Sequence, residues 1–262
     1  MGLWTKWHAM TLIPAFAVMI VIGLVLRKFL KDKDEKYRMI PIQVIAVTLL
    51  VLEVGKQIYS IVNGYDLYHI PLHFCSLFLY FLPLFAFYKG KYKNAVRSFT
   101  TICSSMLLVF LIIYPTMIYG DYNIVAFFKG YLDFHTVAFH NLAALACVLI
   151  IALDLYKPDT KRDIKSIFIG YGIYSFIAAL FANLLSTNYN GFYRCGIDAI
   201  KNVQLALIDK IGWAGQLIYN LGMTAATFAF GLVCYGIYRG VLALINLIKN
   251  KKKTTEQTTV SE

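Results

Sequence analysis

Charge is scarce in this chain. Only 15% of its 262 residues are Asp, Glu, Lys or Arg, and 59% are hydrophobic; a soluble domain is about a quarter charged. Mean hydropathy is +0.63. These figures exclude a disordered chain, a collagen-like fibre and an ordinary soluble domain. Paired cysteines are lacking too. Cys75, Cys103, Cys147, Cys195 and Cys234 stand far apart, without the spacing that marks a zinc site or a disulfide framework. Neither an internal repeat nor a soluble domain is visible. What the chain does have is a series of long apolar blocks separated by short basic runs, the pattern of a polytopic membrane protein.

A crossing takes about 20 mainly apolar residues. Seven blocks qualify, near 9–26, 40–61, 70–88, 98–119, 134–154, 166–185 and 213–237. The first resembles a signal-peptide core, but its n-region holds only Lys6 and the charged run KDKDEKYR follows where a cleavage site would be, so it is kept as a span. The predicted fold is therefore all-α: one seven-helix membrane domain over 1–248. The stretch GVLALINLI reads as an interfacial extension of the last helix, and 249–262 as a basic, then disordered, cytoplasmic tail. Loops 27–38, 89–97 and 156–165, with the C-terminal end, hold 19 of the 25 Lys and Arg residues. Basic residues in short loops favour the cytoplasmic side. This predicts an outside N-terminus, a cytoplasmic C-terminus and a multi-pass protein of the cell membrane. The net charge of +11 then faces the cytoplasm, where anionic lipid suffices to explain it. Nucleic acid is not an expected partner; membrane lipids are.

With that topology all five histidines (His8, His69, His73, His135 and His140) fall on or near the outer side. Lys56 and Gln57 reach a similar depth on the second span. Asn183, Asn188 and Tyr189 close the sixth, and Gln216, Tyr219 and Asn220 begin the seventh. Polar groups in hydrocarbon are costly and face a bundle interior or a wet cavity, so polar groups from five spans converge on one layer. Glu53, Lys56, Gln57 and Ser60 stand at i, i+3, i+4 and i+7, a single helical stripe on which Glu53 and Lys56 neutralise each other. Gln216, Tyr219, Asn220 and Thr224 form a second stripe. Thr136, His140, Ala144 and Cys147 share a face on the fifth span, and Arg97, Thr101, Ser104 and Ser105 do so on the fourth.

Spacing also limits the chemistry. In a regular helix His73 and Cys75 point to nearly opposite faces, and His135 and His140 lie about 140° apart. A shared zinc site is therefore not expected, and no cofactor is called for. A structural hydrogen-bond network remains an alternative use of the layer. A histidine of near-neutral pKa serves as general base for a thiol or hydroxyl nucleophile. The candidates are His140 or His73 as base, with Cys75, Thr136 or Ser76 as nucleophile. Glu53, Lys56, Gln57, His135, Asn183, Asn188, Tyr189, Tyr219 and Asn220 are the candidate substrate-binding residues.

The segments EVGKQIYS (53–60), IPLHFCSL (70–77), FHTVAFHNL (134–142) and TNYNGFY (187–193) occur in this order among the spans. In them the chain resembles the YwaF-type bacterial integral membrane proteins, which are similar to the eukaryotic transmembrane protein 164 acyltransferase family. The resemblance covers about residues 40–236. It implies a lipid-handling protein that moves acyl chains between phospholipids, with Glu53, Lys56, His73 and His140 matching family features. The family's nucleophile is a cysteine directly before the third-span histidine, in a Pro-Cys-His arrangement. Here that run is Pro71-Leu72-His73, and leucine cannot attack an acyl carbon. Cys75 takes over the role only if Pro71 distorts the helix start. The expected function is thus phospholipid acyl transfer or lipid hydrolysis at an outer-leaflet, histidine-centred site. Lipid binding without catalysis and small-molecule transport remain open, and the oligomeric state is not legible.

Overall fold

The computed structural model describes residues 4–119 and 128–260, with side chains described up to Ile248, Met117 excepted. Among the described residues every regular element is helical. Six helices are long and apolar enough to cross a membrane, so the chain is a polytopic helical membrane protein.

Helix α1 (Lys6–Leu30) opens with a capping box. The Thr5 Oγ1 accepts the His8 N–H at 3.3 Å, and His8 Nδ1 accepts the Thr5 N–H at 3.1 Å. His8 thus fills the place that Glu or Gln takes in the usual box, which accounts for one of the five histidines. Helix α2 (Glu35–Val62) carries the charged stripe. Then follow two 3₁₀ turns, Leu67–His69 and Phe74–Ser76, and the short α3 (Leu77–Phe87). The predicted third span, 70–88, is therefore helical only in part. Pro71 lacks an N–H, and His73 stays extended at φ −73°, ψ 159°. What remains, Phe74–Phe87, is about 21 Å long at 1.5 Å per residue, short of the roughly 30 Å hydrocarbon core.

Helix α4 (Lys93–Ile113) is the central element: 67% of its apolar window is buried, against 17% for α1. Three of its buried hydroxyls bond back to their own helix, Thr100 to Val96 O at 2.8 Å, Thr101 to Arg97 O at 2.7 Å and Ser105 to Thr101 O at 2.9 Å. The fourth predicted span, 98–119, breaks at Pro115, beyond which lies only the single turn α5 (Thr116–Tyr119). Helices α6 (Tyr131–Ala152) and α7 (Thr160–Leu184) lie close to their predicted bounds. An amphipathic helix that the hydropathy layout does not foresee, α8 (Asp198–Ile211), packs on the last helix. Gly212, at φ 61°, turns the chain between them. Helix α9 (Trp213–Val260) absorbs the seventh span, its extension and the backbone of the tail to Val260. Residues 261–262 lie outside the described residues.

One end of the bundle is tied by charge. Glu35 bonds Lys93 Nζ at 2.9 Å and Arg97 Nη2 at 2.7 Å. Arg27 and Arg38 donate to the carbonyls of Ala152 and Leu153, at 2.5 and 2.8 Å. The fully buried Asp163 accepts from the Tyr156 hydroxyl, the Tyr235 hydroxyl at 2.9 Å and the Asp159 N–H at 2.8 Å, which locks α7 to α9. The site lies toward the other end, where residues 63–76 and 185–197 fold back on the helices.

Candidate functional site

A cavity of about 600 Å³ sits between α2, α4, α6, α7 and α9. Its wall is two-sided. Glu53, Lys56, His73, Cys75, His135 and His140 give it a polar half, and Met106, Leu107, Phe110, Met223, Ala226 and Phe230 an apolar one.

The polar half begins with the α2 stripe. Glu53 and Lys56 are both largely buried and meet at 2.7 Å (Oε1 to Nζ). Gln57 Nε2 donates to the same Glu53 oxygen at 2.6 Å. His135 Nε2 lies 3.4 Å from Glu53 Oε2 without hydrogen-bond geometry. Pairing within one helical turn places both charges in a low-dielectric wall with almost no net charge. The rest of the stripe secures the loop: Gln57 Nε2 also donates to His69 O at 2.8 Å, the Tyr65 hydroxyl donates to Gln57 Oε1 at 2.8 Å, and Ser60 Oγ meets His69 Nδ1 at 2.8 Å.

Two cavity histidines have their tautomers set by carbonyl partners. His140 Nδ1 lies 2.6 Å from Thr136 O. A carbonyl only accepts, so Nδ1 carries the proton and the neutral ring keeps its lone pair on Nε2. His73 does the reverse, with Nε2 3.0 Å from Tyr68 O and the lone pair on Nδ1. The His73 ring packs 4.3 Å from that of Tyr68 and 5.3 Å from that of Tyr189.

A clasp from the distant loop fixes the turn that holds His73 and Cys75. Asn190 Oδ1 accepts the Phe74 N–H at 2.7 Å, while its Nδ2 donates to Leu72 O at 3.3 Å and to the Tyr174 hydroxyl. Tyr174 in turn donates to Leu72 O at 3.1 Å. One amide side chain therefore grips the backbone on both sides of His73 and keeps it extended. The regular-helix expectation that His73 and Cys75 point apart fails for this reason: both line the cavity. Asn190 itself stands at φ 52°, in the left-handed region that Asn tolerates better than other non-glycine residues.

Of the twelve residues singled out from sequence, Glu53, Lys56, His73, Cys75, His135 and His140 come together at the cavity wall. The other six stand behind it. Gln57 ties the 63–69 loop, and Asn183 Nδ2 bonds its own helix at Ala179 O, 2.7 Å. Asn188 accepts the Arg194 N–H at 3.2 Å, and the Tyr189 hydroxyl donates to Leu67 O at 2.5 Å. Tyr219 donates to Gly191 O at 2.5 Å, and Asn220 accepts from Gln216 at 3.3 Å. Five of these six thus support irregular backbone and its anchors, and Asn183 caps only itself. Of the other nucleophile candidates, Thr136 Oγ1 is engaged with Leu132 O at 2.9 Å and Ser76 is buried; Cys75 is half-buried. Asn190, Tyr174 and Ser175 at the wall were not singled out. The Asn190-Gly191 dipeptide carried a signal for a left-handed turn; the other two carried none.

No curated protein and no solved structure shows a significant match. A family model does match, over residues 3–196. That range is most of the chain and includes the stripe, the clasped turn, both α6 histidines and Asn190. The chain belongs to the TMEM164 family.

Proposed function

We propose that this protein acts on membrane lipids, transferring or releasing an acyl chain whose ester lies in the cavity. The observation that carries the reading is the two-sided wall: a thiol and two imidazoles with oriented lone pairs face an apolar compartment of acyl-chain character. A volume of about 600 Å³ falls within the range of small-molecule sites and suits one acyl chain with its ester.

In this scheme Cys75 is the nucleophile and His140 the base. The thiol proton passes to His140 Nε2 as sulfur attacks the ester carbonyl carbon. The carbon–oxygen bond of the ester breaks, and the lysolipid alkoxide takes the proton from the imidazolium. A second hydroxyl, from an acceptor lysolipid or from water, then attacks the thioester with His140 again as base, restoring the thiol. Lys56 Nζ, beside Glu53, supplies positive charge toward a developing oxyanion.

The same reading includes seven crossings, with residues 63–92 returning the chain across the membrane, an outside N-terminus and a cytoplasmic C-terminus in the cell membrane. Its support is the basic loop distribution and the Glu35–Lys93 and Gln57–His69 contacts, which bracket that segment at opposite ends of α2. The site then opens toward the outer leaflet. A second reading, lipid retention without a covalent step, is favoured by one observation: Leu72 stands where the resemblance implies a cysteine.

The test is mass spectrometry of acyl exchange. Purified protein in nanodiscs receives isotopically labelled phospholipid and lysophospholipid. Label transfer, or release as free fatty acid, is expected from the wild type and lost in His140→Ala and Cys75→Ala, both remaining folded. Turnover that survives Cys75→Ala removes that residue as nucleophile. Absence of turnover in every lipid, with lipid still bound, establishes the second reading instead.

A further inference from the structure

Hydroxyls within this bundle follow one habit. Thr100, Thr101, Ser105, Thr136, Thr224 and Thr227 each donate to the carbonyl four residues back, at 2.7–2.9 Å. That is the ordinary solution for a hydroxyl on a helix surrounded by apolar groups. Ser98, Ser104 and Ser175 depart from it, and of these three Ser175 alone lines the cavity. Ser175 is 2% exposed, and its Oγ has no hydrogen-bond partner among the described residues. The apolar part of the same wall includes Met106, Leu107, Met223 and Ala226, none with an oxygen acceptor on its side chain. A buried polar atom is normally satisfied, so an unsatisfied one at a cavity wall marks where a ligand's polar atom arrives.

The depth of Ser175 identifies that atom. Ser175 lies nine residues from the end of α7 at Leu184, and His140 nine residues from the start of α6 at Tyr131. At 1.5 Å per residue each is about 14 Å in from the end of its helix that borders the cavity. Counted from those helix ends, the hydroxyl and the imidazole lie equally deep, and both line the cavity. A single-chain lipid with its hydrocarbon among α4 and α9 presents its ester at that level.

We infer that Ser175 is a binding residue that donates a hydrogen bond to the ester carbonyl of a single-chain acyl lipid held in the cavity. The inference rests on the lipid reading above but needs no turnover. It explains why this hydroxyl forgoes its own helix, and it makes the site selective for an ester over an ether at the same position.

The experiment measures binding of two probes to the purified full chain in detergent: 1-palmitoyl lysophosphatidylcholine and its 1-O-hexadecyl analogue, in which a methylene replaces the carbonyl. One hydrogen bond corresponds to roughly a five- to tenfold difference in Kd. Wild type is expected to prefer the ester by that factor. Ser175→Ala should bind the ester as weakly as the ether, with ether affinity unchanged, and Ser175→Thr should keep the preference. Ser175→Cys, close in size and a weak donor, serves if the alanine variant does not fold, and is expected to lose most of the preference. An unaltered ester preference in these variants, or an equal loss for both probes, overturns the assignment while the lipid reading stands. Failure of the wild type to retain either probe overturns both.

Discussion

Asn190 offers the sharpest test of how the site is held, because its contribution separates into parts. The side chain accepts from Phe74 N–H at 2.7 Å, donates to Leu72 O at 3.3 Å and reaches the Tyr174 hydroxyl. Each hydrogen bond contributes about 1 kcal/mol net. The backbone at φ 52° costs a residue with a plain Cβ about 1 kcal/mol more. Asn190→Ala loses all of these and should destabilise by about 4 kcal/mol. Asn190→Gly loses the bonds but accepts the conformation, and should recover about 1 kcal/mol of that. Asn190→Asp keeps the acceptor for Phe74 N–H and the tolerance of φ but loses both donor bonds, and should lose about 2 kcal/mol. The order expected in equilibrium unfolding is therefore Asn, Asp, Gly, Ala. Alkylation of Cys75, followed by mass spectrometry of its peptide, reads the site directly. The thiol should react faster in the Ala and Gly variants, because Phe74 and Leu72 are released. Equal stability of Gly and Ala would refute the left-handed requirement. Stabilities all within about 0.5 kcal/mol of wild type would refute the clasp, since half of one ordinary hydrogen bond is then the most it contributes.

The remaining predictions address packing and charge. Lys56→Ala leaves Glu53 without its 2.7 Å partner in a wall where both are largely buried, and should cost about 3–5 kcal/mol by thermal or chemical unfolding. The double variant Glu53→Gln, Lys56→Met should restore most of that loss, and failure to do so would show that the pair is not coupled. Gly170→Ala places a Cβ 2.4 Å from the Phe99 ring. That ring is 2% exposed and wedged between Phe81 and Tyr171, at 4.7 and 5.1 Å, so overpacking of about 1–3 kcal/mol is expected. The neighbouring Gly172→Ala, with open space at its Cβ, should be neutral, and the two unfolding curves compared side by side decide the point.

Local chemistry was readable and long-range chemistry was not. The i, i+3, i+4 spacing of Glu53, Lys56 and Gln57 implied contacts that the helix delivers at 2.7 and 2.6 Å, because a helix fixes its own neighbours. The spans of α1, α2, α6 and α7 were legible because each is a long apolar run that stays helical throughout, across Pro14 in α1 and Pro41 in α2 as well. The third span misled because the conformation of His73 is decided across 116 residues, by the bond between Asn190 and Phe74. The second stripe, Gln216, Tyr219, Asn220 and Thr224, was correctly read as a stripe. Its object is the backbone at Gly191 and Phe192, which periodicity cannot reveal. His8 joined the polar layer on paper only because a histidine in a capping box looks like any histidine near a helix start.

That misdirection has a physical cause that also sorts the polar residues. Apolar surroundings leave unpaired backbone groups nothing to bond with. The irregular segments 63–76 and 185–197 therefore demand side-chain partners. Gln57 serves His69 O, Tyr189 serves Leu67 O, Tyr219 serves Gly191 O, Gln216 serves Phe192 O, and Gln204 serves Tyr193 O. Each is a polar residue in or beside a membrane helix that looks functional by depth alone and holds main chain. Subtracting them leaves a much smaller set at the cavity wall: His73, His135 and His140, the Cys75 thiol, the Glu53–Lys56 pair and the Ser175 hydroxyl. In a bundle whose loops fold back inward, a polar side chain is informative about ligands only after the backbone has taken its share.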